Sequence, residues 1–499
     1  MFARCAERNA LVTAFDQDAR RFYGAGPCQQ RCRLMLNSRS RLPWRIGLFL
    51  LLSLSCLFAV YGWARSSGDD ASDVRGTAEV APGGSRSDGA IDVRGKAELV
   101  KVLRGAKTGI TVSLAPGNYG SVNLDGVGTG LKAGEHITIT SADPCNRATF
   151  ARLWITNSAN LVLRDLRFEN AAFFDRPAEK TLRPDGLVQY MDLLRTDNSS
   201  SLAITNNIFA GSTVEVSTAH PLNGFPHGIG WKGENVSDVV FQANTMSNLF
   251  KGLSLRNAQA LDITHNVITD YRSDAVFLWD VADVTIEDNR FTYPRPAMLE
   301  KGKGDHPDFI QIKNVDGGLI QNNYMIVGPS AGASQGIFPG PARKLTVRNN
   351  IIISRMLNGI HFREIAESEI ANNLVLRAED LPGGLTGMDG KSLPNVSPRI
   401  RIKQGSSDLI LRGNAVSGDP RGRRRGRADD VAVNQLNESQ PFVRMGSDAQ
   451  AAAERGGYRR IGDILFSEDS LATAGIDADK FAFLDGPGSG ADARCPATT

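Results

Sequence analysis

Leu261-Asp262-Ile263-Thr264-His265-Asn266-Val267-Ile268 is followed, 23 residues on, by Val284-Thr285-Ile286-Glu287-Asp288-Asn289. Both carry one phrase: an apolar, β-rich triplet and then an asparagine. Ala203-Ile204-Thr205-Asn206-Asn207-Ile208-Phe209 and Leu345-Thr346-Val347-Arg348-Asn349-Asn350-Ile351-Ile352 repeat it and, like the first, continue with an apolar pair. The marker asparagines are Asn207, Asn244, Asn266, Asn289, Asn323, Asn350, Asn373 and Asn414, and Asp165 is expected as an earlier equivalent. Their gaps are 37, 22, 23, 34, 27, 23 and 41 residues. The shortest cluster at 22–23, the length of one coil, and the longer ones read as a coil plus an insertion. Each coil of such a solenoid supplies short strands that pair in parallel with the coils above and below. An asparagine at each bend then bonds its neighbours in a ladder, which explains its presence where strands normally exclude it. An antiparallel sandwich also shows short strands and turns, but it does not return one asparagine at a fixed offset from a second strand.

That second strand is present. Ten residues before most markers a segment ends: Gly252-Leu253-Ser254-Leu255-Arg256, Ala275-Val276-Phe277-Leu278-Trp279, Phe309-Ile310-Gln311-Ile312-Lys313 and Gly359-Ile360-His361-Phe362-Arg363. Apolar second and fourth places point inward, so the third and fifth point out. The fifth-place column reads Lys232, Arg256, Trp279, Lys313, Gly340, Arg363 and Lys403. The third-place column reads Gly230, Ser254, Phe277, Gln311, Phe338, His361 and Arg401. The fold class predicted is all-β: a right-handed parallel β-helix over residues 91–420.

Outside the coils, residues 46–64 (IGLFLLLSLSCLFAVYGWA) carry no charge and are long enough to span a bilayer as a helix. Arg39, Arg41 and Arg45 precede them, so the C-terminal bulk is expected outside the cytoplasm, in the periplasm or at the cell surface. The segment reads as a transmembrane signal anchor or as the apolar core of a cleaved signal peptide, and Met35 offers a start of more usual signal length. Residues 1–45 are then a cytoplasmic leader, 65–90 a Gly/Ser/Asp-rich linker, and 421–499 a cap with a mobile tail. Of six cysteines only Cys145 and Cys495 lie in the exported part, where an oxidising compartment allows pairing. The net charge of +3 comes with near balance between the arginine-rich ends, which argues against nucleic acid as partner. A monomer is expected.

Leu114-Ala115-Pro116-Gly117-Asn118-Tyr119 and Ile137-Thr138-Ile139-Thr140-Ser141-Ala142-Asp143-Pro144 resemble the opening of pectate-lyase-like β-helix proteins. The coils to about Val416 resemble that superfamily too, including chondroitinase-B-like lyases and alginate C5-epimerases. The resemblance implies a polysaccharide-active β-helix and does not select the reaction.

Coil spacing of about 4.7–4.9 Å matches the rise of an extended uronate chain, so the basic column of Lys232, Arg256, Lys313, Arg363 and Lys403 suits an acidic polysaccharide. A solvated face would look similar. Gly304-Asp305-His306-Pro307-Asp308 places an imidazole between two acids beside Gln311 and Lys313. Alginate-type epimerases carry Asp-Pro-His-acid; the order here differs, so roles do not transfer. Chemistry at a uronate C5 needs a neutralised carboxylate, a base and an acid. Arg256, Lys313 and Arg363 are candidates for the first, and His306, Lys251 and His361 for the base. Asp308 is a further catalytic candidate, and Trp279, Gln311 and His227 are candidates for binding. Calcium is an alternative neutraliser, with Asp270, Asp274 and Asp305 as weak ligands. β-Elimination is the leading expectation, with C5-epimerisation next. A hydrolase of the polygalacturonase type is disfavoured because its paired-carboxylate motifs are missing from the coils. A non-catalytic carbohydrate-binding surface is the remaining alternative.

Overall fold

The structure, a computed structural model, describes residues 89–169, 191–213, 222–297, 305–328, 334–378, 385–386, 392–393, 396–403, 405–417, 434–436, 441–444 and 456–485. The chain divides into two units, residues 1–83 and 84–499, and every described residue belongs to the second. The apolar segment 46–64 therefore lies outside the described residues. Among those that are described, no helix is long and apolar enough to cross a membrane.

Parallel coils stack as the repeat predicts. Lys251–Thr264 pairs with Ile229–Gln242 on one side and with Val276–Glu287 on the other, in unbroken register through several bends. The inward places are filled by Leu253, Leu255, Val276, Leu278, Ile310 and Ile312, all fully buried. Aromatic rings continue the core along the axis: Tyr119, Phe150, Phe168 and Phe209 stack with successive centroids 5.4, 5.9 and 4.6 Å apart. At the N-terminal end the helix Lys96–Gly105 lays Leu99 and Leu103 over the first coil.

The asparagine ladder is continuous from Asn207 to Asn414. Asn244 donates its backbone N–H and its side-chain amide to Asn266 Oδ1 at 2.9 and 3.1 Å, and the same amide reaches the Ile204 carbonyl at 2.8 Å. The markers Asn266 to Asn373 repeat this, and Asn414 ends the ladder with its amide on the Ile370 carbonyl at 2.7 Å, so each buried amide has a partner within the core. Asp165 is not the earlier equivalent. The Leu166 N–H is the group that meets Asn207 Oδ1, and Asp165 instead aligns with Asn206. It heads a column of left-handed residues, Asp165, Asn206, Ala243, His265, Asp288, Asn322, Asn349 and Asn372, with φ between 50° and 57°. That conformation turns the chain at every coil and favours Asn and Asp. A second, exposed ladder links Asn257 to Asn235 and Asn235 to Asn198.

Part of the C-terminal stretch, expected as a cap with a mobile tail, is described, and residues 486–499 lie outside the described residues. Phe442–Arg444, Tyr458–Ile461 and Ile464–Ser467 form an antiparallel sheet, followed by the helix Glu468–Thr473. This unit docks along the flank of the coils, where Asp463 accepts the Tyr324 and Tyr293 hydroxyls at 2.8 and 3.1 Å. Ile464, Phe466, Phe481 and Leu484 join the apolar core of the coils, a contact between positions too distant for composition to show. Cys145 is disulfide-bonded. Its expected partner, Cys495, lies outside the described residues.

Candidate active site

Strand register assigns every candidate to a rung. The fifth-place column runs Arg256, Trp279, Lys313, Gly340, Arg363 and Lys403 as expected. Lys232 does not belong to it. Lys232 pairs with Ser254, while Glu234 pairs with Arg256 and sits 3.9 Å from its guanidinium. The ten-residue offset from the marker holds here too and selects Glu234; the lysine two places earlier attracts by its sign alone. Gly230 leaves the third-place column for the same reason, and Lys232 takes its place. Gly340 is obligatory, because a Cβ there would meet the Ile312 carbonyl oxygen at 2.4 Å. The column therefore has a notch between Lys313 and Arg363.

The richest chemistry lies one edge away, where the strands of this face begin. Asp274 and Asp308 occupy consecutive rungs, since the Gly252 N–H donates to the Asp274 carbonyl and the Ala275 N–H to that of Asp308. Both carboxylates are buried, at 1% and 0% exposure. Lys251, one rung below, ion-pairs with Asp274, and its ammonium lies 4.3 Å from the Phe277 ring. Above them Gln335 donates to Asp308 Oδ1 at 3.2 Å, Asn358 donates to Gln335, and Arg401 donates to Asn358 at 2.9 Å. His306 stands over the pair, with Nδ1 3.6 Å from Asp308 Oδ1, its ring 5.3 Å from Phe338, and 57% of its side chain exposed.

These neighbours set the protonation states. Burial pushes Asp308 up to about 7; the nearby Asp274 adds to this, and His306 opposes it. Asp308 in turn holds the His306 imidazole above its usual value. Burial lowers Lys313, helped by the like charges of Lys251 and Arg363. Tyr271, beneath the pair, is raised by its burial and by both aspartates. The Asp308 shift carries a stability consequence. Its folded value lies above the unfolded one, so its contribution is complete below about pH 4 and is lost as pH rises through about 7. Thermal melts of Asp308→Asn are expected to show a flatter decline between pH 5 and pH 8 than the parent.

The remaining candidates divide. Gln311 faces outward, half-buried, between Phe277 and Phe338, and Arg363 and Lys403 are exposed. His361 is only 5% exposed, 5.5 Å from the Phe338 ring, so it is placed to support that ring and not to take a substrate proton. His227 is 1% exposed in a small hairpin opposite Ser212, which removes it from the binding face. Asp305 is committed to Arg272 at 2.8 Å and to the Ala297 N–H at 2.9 Å. Asp270 ends its coil in a left-handed bend. Calcium takes six to eight oxygens. Asp274 and Asp305 are each paired with a cation, Lys251 and Arg272, and among the described residues no group of three or more His, Cys, Asp or Glu is arranged to hold a metal. Gln335, Asn358 and Tyr271 were not anticipated. Gln335 and Asn358 share the rung position of Asp308, one place before the segments whose columns were read.

A family model described as "Right handed beta helix region" matches residues 154–311 and 192–375. Among solved structures, one similar chain is a mannuronic-acid-specific polysaccharide lyase of family 6 from the human gut microbiota. It is 14% identical with a TM-score of 0.36, covering 64% of this chain and 82% of that one. The family 6 alginate lyase AlyGC is 12% identical with a TM-score of 0.43, covering 79% and 58%. The catalytic domain of a family 87 α-1,3-glucanase is 11% identical with a TM-score of 0.36, covering 67% of each. No curated protein matches the chain. The described coils pair in parallel from rung to rung as a β-helix, and the right-handed β-helix model covers residues 154–375 of them.

Proposed function

We propose that this protein cleaves an acidic, uronate-containing polysaccharide by β-elimination, outside the cytoplasm. One observation carries the reading: exposed His306 and partly desolvated Lys313 share a basic, aromatic face above a buried Asp274–Asp308 pair. Arg256 and Lys251 supply positive charge for the uronate carboxylate, which acidifies the C5 proton. Lys313, with its lowered pKa, takes that proton as the base. The C4–O4 bond breaks, a C4–C5 double bond forms, and O4 receives a proton from His306, which Asp308 keeps protonated. Phe277, Trp279 and Phe338 offer apolar surface to the sugar faces. The charge-flanked apolar segment 46–64 and the disulfide at Cys145 support export.

The test mixes the purified protein with alginate, polygalacturonate, hyaluronan and chondroitin sulfate and follows the ultraviolet absorbance of a 4,5-unsaturated uronate. A rise on one polymer is expected; silence on all four with the fold intact would overturn the assignment for these substrates. The pH profile is a second check. The productive form needs His306 protonated and Lys313 neutral. The acid limb is therefore expected above the ordinary histidine value of 6.5 and the alkaline limb below the ordinary lysine value of 10.5.

A further inference from the structure

Trp279 is held between two cations from the neighbouring rungs, with the Arg256 guanidinium 4.6 Å and the Lys313 ammonium 4.9 Å from its ring centroid. A second indole between two cations lies nearer the N-terminal end, with one cation from its own strand and one from the next rung. Trp154 has the guanidiniums of Arg152 and Arg195 at 4.9 and 4.7 Å. Asp197 fixes this second unit, accepting the Trp154 indole N–H at 2.9 Å and Arg195 Nε at 2.8 Å. Arg152, Trp154 and Arg195 are all half-buried, so their orientation is set while part of each remains open to solvent. The two units lie on one sheet face: Trp154 pairs with Arg195, Arg195 with Lys232, Lys232 with Ser254, and Ser254 with Phe277. Trp279 shares the Phe277 rung, so the two indoles are four rungs, about 19 Å, apart along the axis. Lys232, displaced from the column of Arg256, falls midway between them.

We propose that Arg152, Trp154 and Arg195 form a distal clamp for uronate carboxylates, which one polymer chain occupies together with the Trp279 site. The assignment rests on the reading of the Trp279 face as a uronate groove. In each unit the indole spaces its cations and lowers their rotamer freedom, so little ordering is needed when a carboxylate arrives. Arg152, Arg195 and Lys232 face Asp192, Asp197 and Glu234, which pairs with Asp197, and burial raises Asp192 toward its neutral form, which leaves the cations in slight excess. A chain long enough to span both clamps gains from the second contact as an intramolecular event, while a shorter one does not. The clamp thus selects long polymers and leaves the chemistry on short ones unaltered.

The test measures binding to the full chain carrying His306→Ala, which removes turnover, by calorimetry with uronate oligomers of about two and about eight sugars, lengths below and above the four-rung span. Adding Arg152→Gln or Trp154→Ala is expected to weaken the long oligomer about tenfold to a hundredfold and to leave the short one unchanged. Arg152→Gln keeps a half-buried polar side chain in place and guards against a folding defect in the tryptophan variant. Unchanged affinity for the long oligomer in both variants, or equal loss for both lengths, overturns the clamp alone. Absence of uronate binding at every length before the second substitution overturns the groove as well.

Discussion

His306→Ala is expected to lower kcat by about 10²–10⁴-fold while substrate binding persists. The reason is positional. His306 is the exposed imidazole of the face, and Asp308 beneath it holds the ring protonated toward the leaving oxygen. Polymer affinity rests on Arg256, Trp279, Arg363 and Lys403, none of which touches His306 in the structure, so KM should move little. Lys313→Arg gives the companion result. It retains the positive charge but has no accessible neutral form, so it should be as inactive as Lys313→Ala and bind better. Equal activity of Lys313→Arg and the parent would assign the lysine to charge neutralisation and the base to another group. Steady-state rates and calorimetry on the same variants separate these outcomes.

Asn289→Ala is expected to be the most damaging single substitution in the coils. Its side-chain amide donates to Asn323 Oδ1 at 3.0 Å and to the Ile263 carbonyl at 2.8 Å. Its Oδ1 accepts the Asn266 backbone N–H at 2.9 Å. The site is fully buried, so each orphaned group costs about 1–3 kcal/mol with no water to replace the partner. The sum over the three groups, about 3–9 kcal/mol, is a large share of ordinary domain stability. Asn257→Gly on the exposed ladder tolerates the left-handed φ of 49° and loses one solvent-facing bond to Asn235, so it should cost less than about 1 kcal/mol. Urea titrations of the two variants check this. Equal losses would mean that the inner ladder is not what holds the coils in register.

The contrast also explains what was legible in the sequence. The inner ladder was readable because a buried amide must meet the same partners at every turn, which keeps asparagine at a fixed offset. The outward columns followed wherever that offset was applied. Asp165 and Lys232 misled because each was chosen by residue type over register; one sits a place early and the other two. The core of the site was harder to see. Asp274, Asp308, Gln335 and Asn358 meet only because insertions of unequal length bring their coils into line, so their spacings share no period. His227 and His361 look alike in sequence to His306, yet packing removes the first two from the surface and leaves the third exposed. The Trp154 clamp escaped notice because its coil carries Leu166 at the marker position, leaving no asparagine from which to count back.

The most direct measurement of the central claim is the mass and proton spectrum of the products formed from a uronate polymer in heavy water. β-Elimination predicts shortened chains whose new non-reducing ends carry a C4–C5 double bond and no C5 hydrogen, with all internal C5 positions unlabelled. Saturated ends would mean hydrolysis. Deuterium at C5 in uncut chains would mean epimerisation, and unaltered polymer that still binds would mean a carbohydrate-binding surface; each of these results contradicts the account.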